Sequence, residues 1–161
     1  MLTSLITGAF ALAGVTLGAL LEPVKAKVAA RQRLRDDRAL RCAEVIESAS
    51  AARSAILALF RHTRIEQRPS QAILADFENR YWEARVELKR AVLGLRLVAP
   101  DELINDAELV LDSDFQLRRH WFDAVPAERN SSRVELSQAL KQNESTALRF
   151  ADSARRHVGR G

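Results

Sequence analysis

The chain is 161 residues long, with 47 % hydrophobic, 29 % charged and 6 % aromatic residues, 6 glycines and 4 prolines. That is one domain's worth of core-forming sequence, and it excludes a large multidomain enzyme, a disordered tail and a collagen-like repeat. The 25 Lys and Arg against 21 Asp and Glu leave a net charge of only +4, too small an excess to point to a polyanion partner by itself.

The chain opens on its most informative stretch. Residues 2–21 carry no charge: nine are large and apolar (Leu2, Leu5, Ile6, Phe10, Leu12, Val15, Leu17, Leu20, Leu21) and the others are Ala, Gly, Thr or Ser. As a helix, twenty residues reach ~30 Å, the thickness of bilayer hydrocarbon. A single transmembrane helix is expected. The rival reading, a cleaved signal peptide, would want Lys or Arg ahead of the apolar run, and none stands there. Nine large apolar residues contribute about −3 to −5 kcal/mol to insertion, before the Thr, Ser and Gly residues take some of it back. Ser4, Gly8, Ala11, Gly14 and Gly18 follow at intervals of three and four, a small-residue stripe that ends in a GxxxG. Such a stripe lets two helix backbones approach closely in lipid, so these five residues are the expected oligomerisation face.

Lys25, Lys27, Arg31, Arg33, Arg35, Arg38 and Arg41 all follow the apolar segment within about twenty residues, which by the positive-inside rule places the carboxyl side in the cytoplasm and the amino terminus outside. The same seven residues are the expected membrane-surface contacts, since each cation near an acidic leaflet is worth about 1 kcal/mol. A lone cysteine, Cys42, agrees with a reducing compartment.

After Glu22 and Pro23 the sequence reads as helix, punctuated at Arg68-Pro69-Ser70, Ala99-Pro100-Asp101 and Val125-Pro126 through Ser132. Proline blocks continuation of a preceding helix but suits a first turn, so these positions mark ends and starts. Segment one (Val24 to Arg68) carries a seam at Val45, Ala49, Ala52, Ile56, Leu59 and Phe60. Segment two (Ser70 to Val98) carries one at Ile73, Phe77, Tyr81, Ala84, Leu88, Ala91 and Leu95. Segment three (Pro100 to Val125) aligns Leu103, Ala107, Val110, Leu117, Trp121 and Ala124, interrupted by Asp114. Segment four opens with Ser132 and Glu135 in capping-box spacing and carries Leu136, Leu140, Ala147, Ala151, Ala154 and Val158. Segment one as one helix would be ~66 Å long and segment two only ~43 Å, leaving about 15 residues for a stalk beside the membrane.

The expected architecture is therefore all-α: a transmembrane segment over 1–23, an Arg-rich helical stalk over 24–41, and an antiparallel bundle of about four long helices over 42–161. Residues 24–68 hold 11 Lys and Arg against 5 acids, while residues 101–127 hold 2 against 7. In an up-down-up-down bundle this places Asp101, Glu102, Asp106 and Glu108 at the stalk end, near its cations.

Sites of chemistry are sparse. His62, His120 and His157 lack a metal-type companion at i+3 or i+4, no glycine-rich phosphate loop occurs, and no nucleophile elbow is present. Neither enzyme activity nor a metal or other cofactor is expected. Trp121, inside the cluster Arg118 to Phe122, reads as a core anchor, as do Tyr81 and Trp82. Asp114 on its seam is either a buried polar switch or a residue at the bundle edge. The stalk has no aromatic residue interleaved with its cations, so nucleic acid is not an expected partner. The partners expected are membrane lipid, a second copy of the chain and a protein docked on the bundle. A membrane-active or pore-forming effector is the alternative, though a span without charged residues is ill suited to line water. A basic nucleic-acid-binding protein is the third.

Overall fold

The computed structural model describes the backbone of residues 2–65, 70–122 and 133–159, and the side chains of 22–63, 70–122 and 134–159. It is all-helical, with α1 (Leu2–Ile65), α2 (Gln71–Leu95), α3 (Asp101–Phe122) and α4 (Arg133–Gly159), and no strand among the described residues. Two compact units divide it, residues 1–36 and residues 37–161.

Pro23, expected between segments, lies inside α1. A proline within a helix removes one backbone hydrogen bond and presses on the carbonyl four residues back. With helix-forming Leu, Ala and Lys on both sides, the helix loses a bond without losing its nucleus. Among the described residues no helix is long and apolar enough to cross a membrane. The expected span and its stripe, Ser4, Gly8, Ala11, Gly14 and Gly18, fall on residues whose side chains lie outside the described set, as do Ala124 and the Ser132 cap.

Within residues 37–161 the seams close into a four-helix core. One apolar cluster joins Cys42, Val45 and Ala49 of α1, Leu88, Val92 and Leu95 of α2, Leu103, Ala107 and Val110 of α3, and Phe150 and Ala154 of α4. A second joins Ala52, Ile56 and Leu59 of α1, Tyr81 of α2, Leu117 and Trp121 of α3, and Leu136 of α4. The first cluster thus takes early residues of the α1 seam and of α3 with late residues of α2 and α4, and the second takes the reverse. The helices run up, down, up and down, as short connections between neighbours require. Each fully buried Leu, Ile, Val or Phe contributes about 1.5–3 kcal/mol by leaving water.

The inner faces differ from expectation in α2 and α4. Ile73 is 41 % exposed, and Leu74, about 100° further round α2, takes the inward place in that turn. Trp82 is 39 % exposed while its neighbour Tyr81 is fully buried. Two large consecutive side chains on a helix point about 100° apart, and Trp82 leans outside against the rings of Tyr81 and Phe122, at 5.2 Å from each. In α4 the buried line runs through Leu136, Asn143, Ala147, Phe150 and Ala154, whereas Leu140, Ala151 and Val158 lie at its margins.

The α2–α3 corner is tight. Leu97, Val98 and Ala99 donate back to the carbonyls of Gly94 and Leu95, and the Pro100 carbonyl accepts from Leu103 and Ile104 to open α3. Proline there needs no amide hydrogen of its own. Gly94, in the last turn of α2, has an ordinary helical backbone, and a Cβ added to it would stand 3.2 Å from Arg41 Cδ and 3.3 Å from Arg41 Nε. The Arg41 side chain is half-exposed and free to swing outward. Gly94→Ala is expected to stabilise the bundle by about 0.5–1 kcal/mol through reduced chain entropy in the unfolded state. A raised thermal midpoint is the readout, and a lowered one would mean that Arg41 is held in place over the glycine.

Candidate functional site

Two groups of polar side chains stand out against this apolar frame, one at the end of the bundle and one at its middle. At the end, Arg38 of α1 donates from Nε to the Val98 carbonyl in the α2–α3 corner (3.0 Å) and from Nη1 to the His157 carbonyl in the last turn of α4 (3.4 Å). A guanidinium suits this role because its donors point in two directions at once and terminal carbonyls lack helical partners. His157 places Nδ1 2.9 Å from the Ser153 carbonyl and Nε2 3.3 Å from Glu102.

The seven cations expected at a membrane surface are therefore not alike. Lys25, Lys27, Arg31, Arg33 and Arg41 are exposed, Arg35 is half-buried, and Arg38 is bound into the bundle. Arg41 pairs with Glu44 at 2.8 Å. Of the acids at the start of α3, Glu108 pairs with Arg96, Asp106 with Arg149 (3.4 Å) and Glu102 with His157. These partners come from the end of α2 and the second half of α4, which the antiparallel topology brings alongside the first half of α3. Such exposed pairs contribute under about 1 kcal/mol each.

At the middle, Asp114 is 1 % exposed. Its Oδ2 accepts from Arg85 Nε at 2.9 Å and from the Tyr81 hydroxyl at 3.4 Å, whereas Oδ1 has no hydrogen-bond partner. Burial pushes the Asp114 carboxyl up from its ordinary range. The Arg85 hydrogen bond and charge, the Tyr81 hydrogen bond and the charge of Lys89 pull the other way and do not overcome it. The Tyr81 hydroxyl is also pushed up, first by burial and then by Asp114, so it stays a donor. Beside this trio, Arg53 of α1 donates to Asn143 Oδ1 of α4 (3.5 Å), and Asn143 Nδ2 donates to Ser113 Oγ of α3 (2.9 Å). Ser113 in turn donates to the Val110 carbonyl (2.7 Å). All four helices thus send a polar side chain into one stratum, located between the two apolar clusters.

Two open grooves flank the bundle. One of about 460 Å³ runs between α1 and α2 past Arg41, Glu44, Glu47, Glu87 and Arg90. Another of about 570 Å³ runs between α3 and α4 past Gln116, His120, Glu135, Gln138 and Gln142, with Ser113 in its wall. Among the described residues no group of three His, Cys, Asp or Glu is placed to hold a metal ion. The Cys42 thiol is pushed up to about 11, chiefly by burial, so it is protonated and inert at neutral pH.

Sequence reading found Asp114 and left its environment open. It missed Arg85 and Asn143, the residues that give Asp114 and Ser113 their partners. Arg85 is 29 positions from Asp114 in the chain, and only the register of α2 on α3 pairs them. Asn143 was legible as the residue four before Ala147 and seven after Leu136 on the α4 seam. No protein-family model, curated protein or solved structure matches this chain.

Proposed function

We propose that the chain is a non-enzymatic, single-pass membrane-anchored scaffold that holds a helical bundle on the cytoplasmic face of a bilayer and self-associates through Ser4, Gly8, Ala11, Gly14 and Gly18. The observation that carries the reading is the uncharged run of residues 2–21 followed, along the same helix, by Lys25, Lys27, Arg31 and Arg33, all four exposed. Exposed cations just past an apolar segment favour a cytoplasmic position and can touch anionic headgroups. Among the described residues, Tyr81, Arg85, Asp114, Ser113 and Asn143 spend their polar atoms on one another and on the backbone, which supports reading the bundle as a surface for docking.

Membrane fractionation of cells making the full chain is the test. The protein is expected in the membrane pellet after an alkaline carbonate wash and in the supernatant only after detergent. Recovery in the soluble fraction without detergent would overturn the proposal. Replacing Gly14 and Gly18 together by leucine is expected to leave the protein in the pellet and reduce its detergent-extracted mass to that of a monomer.

A further inference from the structure

Besides its buried seam, α2 carries a second apolar line that the bundle does not cover. Trp82, Val86, Leu93 and Leu97 are 39, 47, 60 and 85 % exposed. At about 100° per residue they fall within an arc of about 60°, on the side of the helix away from Tyr81, Leu88 and Leu95. Ala75, also exposed, continues the line toward the amino end of α2. Large apolar side chains aligned in water mark a contact surface, whereas scattered ones do not.

The charges along the two margins of this line say what covers it. On one margin Glu83 is followed by Arg90, and on the other Glu78 is followed by Arg96. Each margin therefore has its acid toward the amino end and an arginine toward the carboxyl end, and is complementary to itself when reversed. The apolar line has the same symmetry. The midpoints of Trp82 with Leu93, Ala75 with Leu97, Glu83 with Arg90 and Glu78 with Arg96 all fall within about two residues of Val86. Arg90 and Arg96 hold Glu87 and Glu108 within the chain, yet both keep more than half of the side chain exposed, within reach of a further carboxylate.

We propose that the outer face of α2 is a self-docking surface, through which two copies of the chain pair antiparallel about a twofold axis beside Val86. The axis lays Trp82 of each copy on Leu93 of the other. Because such a twofold sets each margin against its own counterpart, Glu83 meets Arg90 and Glu78 comes within an arginine's reach of Arg96. A parallel pairing would set one margin against the other, with Glu83 facing Glu78 and Arg90 facing Lys89, and like charges oppose it. In the antiparallel pair Lys89 lays its methylenes along the seam and keeps its ammonium in water. The contact is separate from the one assigned to Ser4, Gly8, Ala11, Gly14 and Gly18 and draws only on the bundle. Four large side chains and exposed ion pairs make it modest, so it forms where copies are crowded and comes apart in a dilute detergent extract.

Disulfide cross-linking of the full chain in permeabilised cells, with a copper-phenanthroline oxidant and single added cysteines, tests this. Cys42 is buried, and the chain without an added cysteine is the control for its silence. Val86→Cys is expected to give a linked dimer, because residue 86 faces itself across the axis. Leu97→Cys alone is expected to give none, since its two copies stand about 30 Å apart in the antiparallel pair. Ala75→Cys and Leu97→Cys chains made together are expected to link to each other. Adding Glu83→Arg to the Val86→Cys chain is expected to lower the dimer yield at least about fivefold, and adding Arg90→Glu to that variant to restore it. No dimer from Val86→Cys, equal linking of Val86→Cys and Leu97→Cys, or a charge swap that fails to restore the yield overturns the proposal. The readout is taken before any fractionation, so it stands whether or not the chain is found in the membrane pellet.

Discussion

Asp114→Ala is expected to destabilise the bundle at neutral pH by about 3 kcal/mol, the lower end of the range for removing one partner of a buried ion pair. The lost carboxylate leaves the Arg85 guanidinium without its charge partner and the Tyr81 hydroxyl without its acceptor, both in the interior. The lower end applies because Arg85 keeps a thread of solvent contact and the Trp82 ring. Denaturant unfolding at neutral pH measures the loss. The double replacement of Arg85 by Met and Asp114 by Leu removes both charges together and is expected to return most of the stability, since well-packed apolar side chains do not carry the desolvation penalty of an ion pair. If the double variant were as unstable as Asp114→Ala, the loss would come from packing around residue 114 rather than from the stranded cation.

Phe150→Ala is expected to be more damaging, at about 3–5 kcal/mol. Phe150 is the largest fully buried side chain of α4 and packs in the cluster that joins all four helices. Truncation removes apolar contact and opens a cavity that neighbours on three other helices cannot close together. Leu148, two residues earlier, is mostly exposed, so Leu148→Ala is expected to shift stability by no more than about 0.5 kcal/mol. The two variants compared by thermal or denaturant unfolding separate burial from helix propensity, which favours alanine at both positions. Similar losses at both would contradict the assignment of the α4 inner face.

The helices and their inner faces were largely legible in the sequence, because an apolar period of three and four is a direct imprint of a helix lying on a core. Leu88, Ala91 and Leu95 or Leu103, Ala107 and Val110 needed nothing beyond that period. Where a polar residue occupies a core position the imprint fades: Asn143 on α4 hid the true line, and with it Phe150. Adjacent aromatic residues posed a different problem. Tyr81 and Trp82 are equally apolar as letters, and only the angle between neighbouring residues decides which one the core accepts. Long-range pairing was not legible at all. The acids at the start of α3 pair with Arg96, Arg149 and His157, and Arg38 turns inward to two helix ends. A charge count can say that two regions are complementary, but the partners follow from register and side-chain reach.

Placing hydrogen-bonding residues midway between two greasy halves has a consequence for alternative packings. An all-alanine-and-leucine interface can slide by a helical turn and still bury comparable grease. Here a slip of α3 by one turn along α2 would pull Asp114 away from Arg85 and set a bare carboxylate against leucine or alanine, and each misaligned state would carry an interior charge with no counterion. The stratum works as a detent, giving the four rods a single notch in which they come to rest.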